Sequence, residues 1–341
     1  MPAPGAAPRP RVLILRALGL GDLLAAVPAL RGVRRAFPDH EIVLATPSPL
    51  RDAALATEAV DAILPASAPR RGVPELTGWQ GAPPDIAIDL HGNGPESHGA
   101  LAALGPRRIL SYSCPLPGVN APPVWRSEDH ERDRWCRLLK AYGIEADPRD
   151  LVLPSPSVPS SAPGAVVVHP GAEAAARRWP AGRYATVIGA VLATGRPVVV
   201  TGGPGEEALT TAVADAAGLD ADDVRSGGLP FAELSALVAG AACLLSGDTG
   251  LAHLAVAHGT PSVTLFGPVA PRLWGPPPDD PRHTALWCPG PPGDPHGAVT
   301  DPSLLRIGAG EVIASVLGHI SPGSGTGPRN GSRPVGASGC G

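Results

Sequence analysis

The sequence predicts two parallel α/β domains joined by a short linker. One order of elements, a short apolar strand, a glycine-bearing turn and an amphipathic helix, recurs on both sides of a single internal break, and this order is typical of parallel α/β layering. The break is the Pro- and Ser-rich stretch 154–164. A chain of 341 residues also has room for two domains. We therefore expect an N-terminal domain over residues 11–153 and a C-terminal domain over residues 165–319.

The N-terminal half opens with the clearest example of this order. Residues 12–16 predict a strand and residues 22–37 a helix, because the apolar positions of the second segment fall on one face. Later in the same half, the pattern predicts two more strands, at 42–45 and 86–90, and a helix at 132–142.

The C-terminal half repeats the order more densely. Strands are predicted at 165–169, 198–201, 242–246 and 262–266, and helices at 184–194, 206–218, 229–239 and 249–258. A helix at 304–317 closes the domain. The Pro- and Gly-rich segment 268–302 predicts a long loop, which is either a lid or an irregular surface loop. The terminal stretches 1–10 and 320–341 are predicted to be disordered.

Charge and composition exclude several classes of protein. The net charge of -4 argues against a nucleic-acid-binding protein, which needs a dense basic face. Lys140 is the one lysine and no G-K-[ST] occurs, so the chain has no P-loop. The cysteines form no C-x-x-C pair and predict no thiolate zinc site. The scattered cysteines predict a reduced, cytoplasmic setting. No apolar run of about 18 residues occurs, so we expect no transmembrane segment and peripheral membrane contact at most.

The most informative segment lies at residues 244–268. A buried strand ends at Ser246, and the turn that follows opens a helix whose first N–H groups would bind an anion. Thr249, Gly250 and His253 share the face of the first helical turn. A diphosphate site is one interpretation; the other is that Asp248 is a helix N-cap and His253 an ordinary helix histidine.

Asp22 lies in the first strand–turn–helix junction. A carboxylate there can accept a proton from a hydroxyl, and the helix N-terminus favours its charged form. An ordinary helix cap explains the residue equally well. The G-x-G-x-x-G pattern of a dinucleotide site fails at this turn, because Leu24 stands at the third glycine.

Other charged clusters have competing interpretations. Arg177 and Arg178 precede Trp179 at a second loop-to-helix junction, where they form either a cation for a leaving anion or a solvated basic pair. Asp220 and Asp222 form a D-x-D that follows a helix, and a solvated turn fits it better than a metal site. The acidic residues beside His130 alternate with arginines, which predicts a surface helix. Nothing in the sequence requires a metal.

Five segments together carry a resemblance to a known family. Residues 248–268 read D-T-G-L-A-H-L-A-V-A-H-G-T-P-S-V-T-L-F-G-P, and residues 19–24 read G-L-G-D-L-L. Residues 85–92 read D-I-A-I-D-L-H-G, and H-P-G-A at 169–172 is followed by R-R-W-P at 177–180. Taken in their order along the chain, these segments resemble the motifs of glycosyltransferase family 9, the ADP-heptose:lipopolysaccharide heptosyltransferase family, over residues 11–318.

The resemblance implies a GT-B architecture, in which two Rossmann-like domains face each other across a cleft. The first domain would bind the acceptor and the second the nucleotide sugar. The implied reaction is an inverting transfer from a nucleotide diphosphate sugar, ADP-heptose, to a hydroxyl of a lipopolysaccharide-core or other cell-envelope glycan, with neither metal nor cofactor. A sugar-nucleotide epimerase of the same fold and a non-catalytic nucleotide-sugar-binding protein remain alternatives.

The resemblance also implies roles for individual residues. Asp22 would be the general base, and Arg177, where the family usually has lysine, would stabilise the leaving diphosphate. Donor binding would fall to Asp248, Thr249, Gly250, His253 and Arg178, with Glu206 or Glu207 at the ribose. The acceptor side would be lined by Arg16, His91, Asn93 and Ser97.

Overall fold

The computed structural model describes residues 9–114 and 123–321. The chain divides into two compact units, Met1–Pro154 and Ser155–Gly341. Most of the terminal residues for which disorder is expected lie outside the described ranges. Ile320 is an exception to that expectation, because it is 5% exposed and ends the last helix.

The first unit contains a five-stranded parallel sheet. Its strands are β1 (Arg11–Leu15), β2 (Glu41–Thr46), β3 (Ala62–Pro65), β4 (Ile86–Asp89) and β5 (Arg108–Leu110), in the order β3-β2-β1-β4-β5. The helices are α1 (Leu20–Ala36), α2 (Arg51–Leu55), α3 (Pro95–Ala102) and α4 (Glu131–Ala141). The strand order reverses between β1 and β4, which pair with Leu15 beside Asp89. In open parallel sheets, ligands bind at the carboxyl ends of strands at such a reversal.

The second unit contains a six-stranded parallel sheet of the same kind. Its strands are β6 (Val166–His169), β7 (Val198–Thr201), β8 (Val224–Arg225), β9 (Cys243–Gly247), β10 (Ser262–Phe266) and β11 (His283–Trp287), in the order β11-β10-β9-β6-β7-β8. The helices are α5 (Ala181–Leu192), α6 (Glu207–Ala217), α7 (Phe231–Ala239), α8 (Gly250–His258), α9 (Pro271–Trp274), α10 (Pro302–Leu305) and α11 (Ala309–Ile320). Here the reversal lies between β6 and β9, with His169 beside Ser246.

Buried strands explain why the sequence forms these sheets. Every residue of β4, β6, β7, β9 and β10 is buried, as expected for a parallel sheet that is covered on both faces. Trp179 and Tyr184 pack edge to face in the core of the second unit, with ring centroids 5.0 Å apart. The buried residues of α1 are apolar except for Asp22.

The structure confirms the predicted fold class and corrects three details. The segment 268–302 is not one loop, because β11 pairs along its full length with β10 and α9 lies before it. The closing helix is divided into α10 and α11, with Gly308 as the N-cap of the second. The helix near His130 is not a solvated surface, since Glu131, Arg132 and Arg134 are 5–8% exposed.

Candidate active site

Asp22 lies at the reversal point of the first sheet, in the first turn of α1. The residue is 6% exposed, and its Oδ2 accepts a hydrogen bond of 3.1 Å from the backbone N–H of Gly19. Gly19 is the N-cap residue, and Asp22 occupies the third helical position. The carboxylate therefore helps to cap α1, yet one capping bond uses only part of its acceptor capacity.

Two arginines hold the carboxylate of Asp22. Arg71 donates from Nη2 to both carboxylate oxygens, at 2.8 and 2.9 Å, and Nη2 of Arg16 lies 3.7 Å from Oδ1. Burial by itself would raise the pKa of Asp22, but the charges of Arg16 and Arg71 and the Arg71 and Gly19 hydrogen bonds outweigh it, so that the pKa falls below its ordinary value. Asp22 is therefore a carboxylate at neutral pH.

Sequence reasoning did not identify Arg71. It lies in the turn Pro69–Arg71 with a φ of 58°, a backbone conformation that side-chain-bearing residues rarely adopt. No motif surrounds it, and its partner is 49 positions away in the chain. The adjacent Gly72 is a weak signal for a turn and no signal for this ion pair.

Arg16 is buried beneath Asp22. Only 1% of it is exposed, and its guanidinium donates to the carbonyl oxygens of Asp22 at 2.8 Å and Leu90 at 2.5 Å and to Oε1 of Glu131 at 2.8 Å. A side chain so enclosed does not line an acceptor surface. The structure therefore corrects the expectation for Arg16 and makes it a support for the carboxylate of Asp22.

The first residues of α4 continue this arrangement. Glu131 accepts hydrogen bonds from Arg16, from Trp135 Nε1 at 2.9 Å and from Arg134. Five charged side chains form a row of ion pairs in which the sign of the charge alternates: Arg134, Glu131, Arg16, Asp22 and Arg71.

The turn after β4 carries the other residues expected at the acceptor. Nδ1 of His91 accepts a hydrogen bond of 3.3 Å from the backbone N–H of Ala17, so His91 lies beside the turn that leads to Asp22. Burial lowers the pKa of His91, although Asp89 acts in the opposite direction. Asn93 is half-buried in the same turn, whereas Ser97 is 1% exposed. Of the expected acceptor residues, His91 and Asn93 thus keep some exposure and Arg16 and Ser97 do not.

Asp89 organises this turn from within the sheet. It is fully buried, and its Oδ1 accepts from the backbone N–H groups of His91 and Gly92 at 2.9 and 3.3 Å. Its Oδ2 lies 3.4 Å from Nε2 of His98. Burial raises the pKa of Asp89, against the hydrogen bonds and the neighbouring His98, which lower it. The residue fixes the backbone on which His91 and Asn93 stand.

The start of α8 lies at the reversal point of the second sheet. Its N-cap residue is Thr249, not Asp248, and the Thr249 side chain makes no capping hydrogen bond. The Oγ1 atom of Thr249 is shielded from solvent and has no hydrogen-bond partner among the described residues. The ring of His253, in the first turn, packs edge to face with Trp274 at 6.0 Å between centroids. A hydroxyl and helix N–H groups therefore converge where a helix N-terminus favours negative charge.

Arg177 lies beside this helix end. Its Nη1 donates to the backbone oxygen of Asp248 at 3.1 Å, while its buried Nε has no hydrogen-bond partner in the part of the chain that the structure describes. A Cβ on Gly247 would lie 3.0 Å from the backbone oxygen of Arg177, so the two segments approach closely. Arg178 points elsewhere, since its Nε donates to the carbonyl of Ala172. The structure thus brings Arg177, Thr249, Gly250 and His253 together.

The two glutamates after β7 have different surroundings. Glu206 Oε2 accepts from the backbone N–H of Gly203 at 2.8 Å and lies 3.9 Å from Nε2 of His169. A Cβ on Gly171 would come within 2.0 Å of the same oxygen, so glycine there lets Glu206 pack against the H-P-G-A segment. Glu207 is exposed and accepts from the N–H of Gly205 at 3.2 Å. Glu206 is therefore the glutamate that packs against this segment.

The described residues offer no clustered metal ligands. Across residues 9–114 and 123–321, no group of three or more His, Cys, Asp or Glu side chains could hold a metal ion. The D-x-D residues Asp220 and Asp222 belong to a short turn without buried residues, Ala221–Asp223 and its N-cap. In the same ranges, no helix is both long and apolar enough to cross a membrane.

Comparisons with known proteins agree with this description. Residues 145–290 match the model of glycosyltransferase family 9 (heptosyltransferase). Lipopolysaccharide heptosyltransferase 3 of Escherichia coli is 34% identical over 113 residues, which are 33% of this chain and 33% of that protein. The match thus spans about a third of the length of that curated relative.

Two solved structures share the fold over nearly the whole chain. The glycosyl transferase family 9 structure from Veillonella parvula DSM 2008 has a TM-score of 0.72 at 19% identity, covering 92% of this chain and 98% of that one. E. coli ADP-heptose lps heptosyltransferase II has a TM-score of 0.69 at 20% identity, covering 91% and 98%. These likenesses confirm the two-domain α/β fold of the GT-B class. Over residues 145–290 the chain is thus similar to glycosyltransferase family 9, the heptosyltransferase family.

Proposed function

We propose that this protein is an inverting glycosyltransferase that moves a heptose-like sugar from a nucleotide diphosphate sugar to a hydroxyl of a glycan acceptor. The observation that carries the proposal is the start of α8. There the unpartnered Thr249 hydroxyl, the N–H groups of the first turn and the Arg177 guanidinium converge on a place suited to a diphosphate.

The donor side supplies stabilisation of the leaving group. As the bond between the sugar and the diphosphate breaks, the diphosphate takes the electron pair and gains negative charge. Arg177 and the positive end of α8 stabilise that charge where it develops. Glu206 is the glutamate we propose for the ribose, because its carboxylate packs against the H-P-G-A segment. His253, Gly250 and Asp248 complete the donor side, and Arg178 supports the backbone at Ala172.

The acceptor side supplies the base. Asp22 would accept the proton of the acceptor hydroxyl while the oxygen of that hydroxyl bonds to the anomeric carbon from the face opposite the leaving group. One C–O bond forms and one breaks, so the configuration inverts. The base acts late, when the attacking oxygen has become acidic, and a carboxylate with a lowered pKa is sufficient for that.

The names of the relatives indicate the substrates. E. coli ADP-heptose lps heptosyltransferase II and Lipopolysaccharide heptosyltransferase 3 point to ADP-heptose as the donor and a lipopolysaccharide-core or other cell-envelope glycan as the acceptor. We propose that the reaction takes place on the cytoplasmic side, where the protein would meet a glycolipid acceptor peripherally. We also propose that the reaction needs no metal or other cofactor.

A donor screen followed by a transfer assay tests the proposal. Binding of ADP-, GDP- and UDP-sugars is measured by calorimetry, first with the wild type and then with Thr249→Val. We expect ADP-heptose to bind and Thr249→Val to weaken the binding about tenfold, the loss expected for one hydrogen bond. Thr186→Val is the matched control, because Thr186 is exposed on α5.

Three outcomes would overturn the assignment. Absence of binding by every nucleotide sugar would remove the donor site. Conversion of the donor to another nucleotide sugar without an acceptor would indicate an epimerase. Donor binding that Asp22→Ala leaves intact, together with no transfer to any lipopolysaccharide-core acceptor by the wild type, would indicate a binding protein.

A further inference from the structure

We propose that Glu131 is a positioning residue for Asp22, and that it acts through Arg16 by offsetting the charge of that guanidinium. The inference rests on the proposed function, because it concerns the strength of the base. Glu131 does not touch Asp22 directly and lies 115 positions from Arg16 in the chain.

Arg16 cannot adapt its position to the carboxylate. Its Nε, Nη1 and Nη2 donate to Asp22 O, Leu90 O and Glu131 Oε1, and its guanidinium lies 5.0 Å from the ring centre of Trp135. With three directions occupied and 1% exposure, the guanidinium remains 3.7 Å from Asp22 Oδ1. Its charge therefore acts on Asp22 at a set distance.

Glu131 is held as firmly on the other side. It is 5% exposed and is the first residue of α4, where the helix N-terminus favours a negative charge. Its Oε1 accepts from Arg16 and from Trp135 Nε1, and its Oε2 accepts from Arg134. A carboxylate with this many donors is held in place.

The alternation of charge decides what Glu131 does to the base. Within residues 9–114 and 123–321, the charged and titratable side chains that face Asp22 are Arg16 at the end of β1, Arg71 from the turn Pro69–Arg71 and His91 from the turn after β4. The positive charges of both arginines lower the pKa of Asp22. The negative charge of Glu131 offsets the positive charge of Arg16, the buried one of the two arginines. Without Glu131, Asp22 would be a weaker base.

A purely structural role is the competing explanation. In that case the Arg16–Glu131 pair would tie α4 to the sheet, and its loss would lower stability without changing the titration of Asp22. A titration therefore separates the two explanations. Arg71→Ala provides the background, because loss of that ion pair leaves burial less opposed and should raise the pKa of Asp22, which makes its titration easier to follow in the folded protein.

The experiment compares three proteins by the carboxyl carbon signals of labelled aspartate. They are Arg71→Ala, Arg71→Ala with Glu131→Gln, and Arg71→Ala with Asp133→Asn, and Asp22→Asn assigns the signal. Gln keeps the size of Glu131 and can still accept from Arg16 and Trp135. Asp133 is the matched control, since it is exposed two positions further along α4.

We expect Glu131→Gln to move the midpoint of Asp22 down by about one pH unit, the order expected for the loss of one nearby charge. Asp133→Asn should leave it in place. An unchanged Asp22 midpoint in folded Glu131→Gln would overturn the proposal, as would an upward shift.

The titration needs no turnover, so it stands even if the protein transfers no sugar. In an active wild-type background, Glu131→Gln should lower kcat about three- to tenfold and leave KM for the donor unchanged. If Glu131→Gln does not fold, Glu131→Asp takes its place. The shorter side chain should keep the charge and preserve the Asp22 midpoint, and a fall as large as that expected for Gln would overturn the role of the charge.

Discussion

A single nitrogen of Arg71 donates to both carboxylate oxygens of Asp22, at 2.8 and 2.9 Å. The oxygens that would accept a proton from an acceptor hydroxyl are thus already engaged by a cation. Arg71 is 31% exposed at its side chain and Asp22 only 7%, so Arg71 is the partner able to move. A carboxylate oxygen can accept about two hydrogen bonds, so Oδ1 keeps acceptor capacity for a hydroxyl while Arg71 stays bound, and movement of Arg71 would free more.

Asp22→Asn should abolish most of the transfer. The amide cannot accept the proton as a carboxylate does, and general base catalysis contributes about 10²- to 10⁴-fold. We expect kcat to fall within that range while the dissociation constant of the donor stays the same, as measured by steady-state kinetics and calorimetry. Asp39→Asn, at an exposed position, is the control. Wild-type transfer by Asp22→Asn would exclude Asp22 as the base.

Arg71→Met should shift the acid side of the pH–kcat/KM profile to higher pH. The ion pair with Arg71 lowers the pKa of Asp22, and burial raises it, so removal of Arg71 leaves burial less opposed. Activity that requires ionised Asp22 is present above its folded pKa and is lost below it, and a higher pKa moves that loss upward. Arg107→Met, at a side chain 84% exposed, should leave the profile unchanged. A shift of the acid side to lower pH would contradict the assignment.

Arg177→Ala should reduce kcat about 100-fold, the size of effect seen when one donor to a developing charge is removed. Arg177→Lys should recover part of the loss, because it restores the charge. Full recovery is not expected, since an ammonium lacks the planar fork that reaches the Asp248 oxygen at 3.1 Å and presents a second edge. Single-turnover kinetics measures the chemical step. Equal kcat for Arg177→Ala and the wild type would show that the diphosphate is stabilised elsewhere.

Removal of divalent ions should leave transfer intact. Arg177 and the N-terminus of α8 supply positive charge at the diphosphate. In other transferases a bound metal ion supplies this charge. Dialysis against EDTA followed by the transfer assay checks this. Activity that disappears with EDTA and returns with added Mg²⁺, Mn²⁺ or Fe²⁺ would show a metal requirement.

Complete burial of the strands made most of the fold predictable. Strands such as β7 and β10 are fully buried and rich in β-branched and apolar residues, and the structure places them at the predicted residues. The strands β3, β5 and β8 were not predicted. They have two to four residues each and are only partly buried. The strand β11 was not predicted because it borders a Pro-rich segment. Its pairing with β10 shows it to be a strand.

The candidate site divides in the same way. Glycine turns and the helix starts that follow them are local features, so the sequence by itself determined that Asp22, Arg177 and Thr249 stand at loop-to-helix junctions. Through-space contacts are not local. Only the tertiary structure decided that Arg71 binds Asp22, that Arg16 is enclosed and that Glu131 contacts it from 115 positions away. The physical reason is that the strength of an ion pair depends on distance and burial, which the folded chain sets and the order of residues does not display.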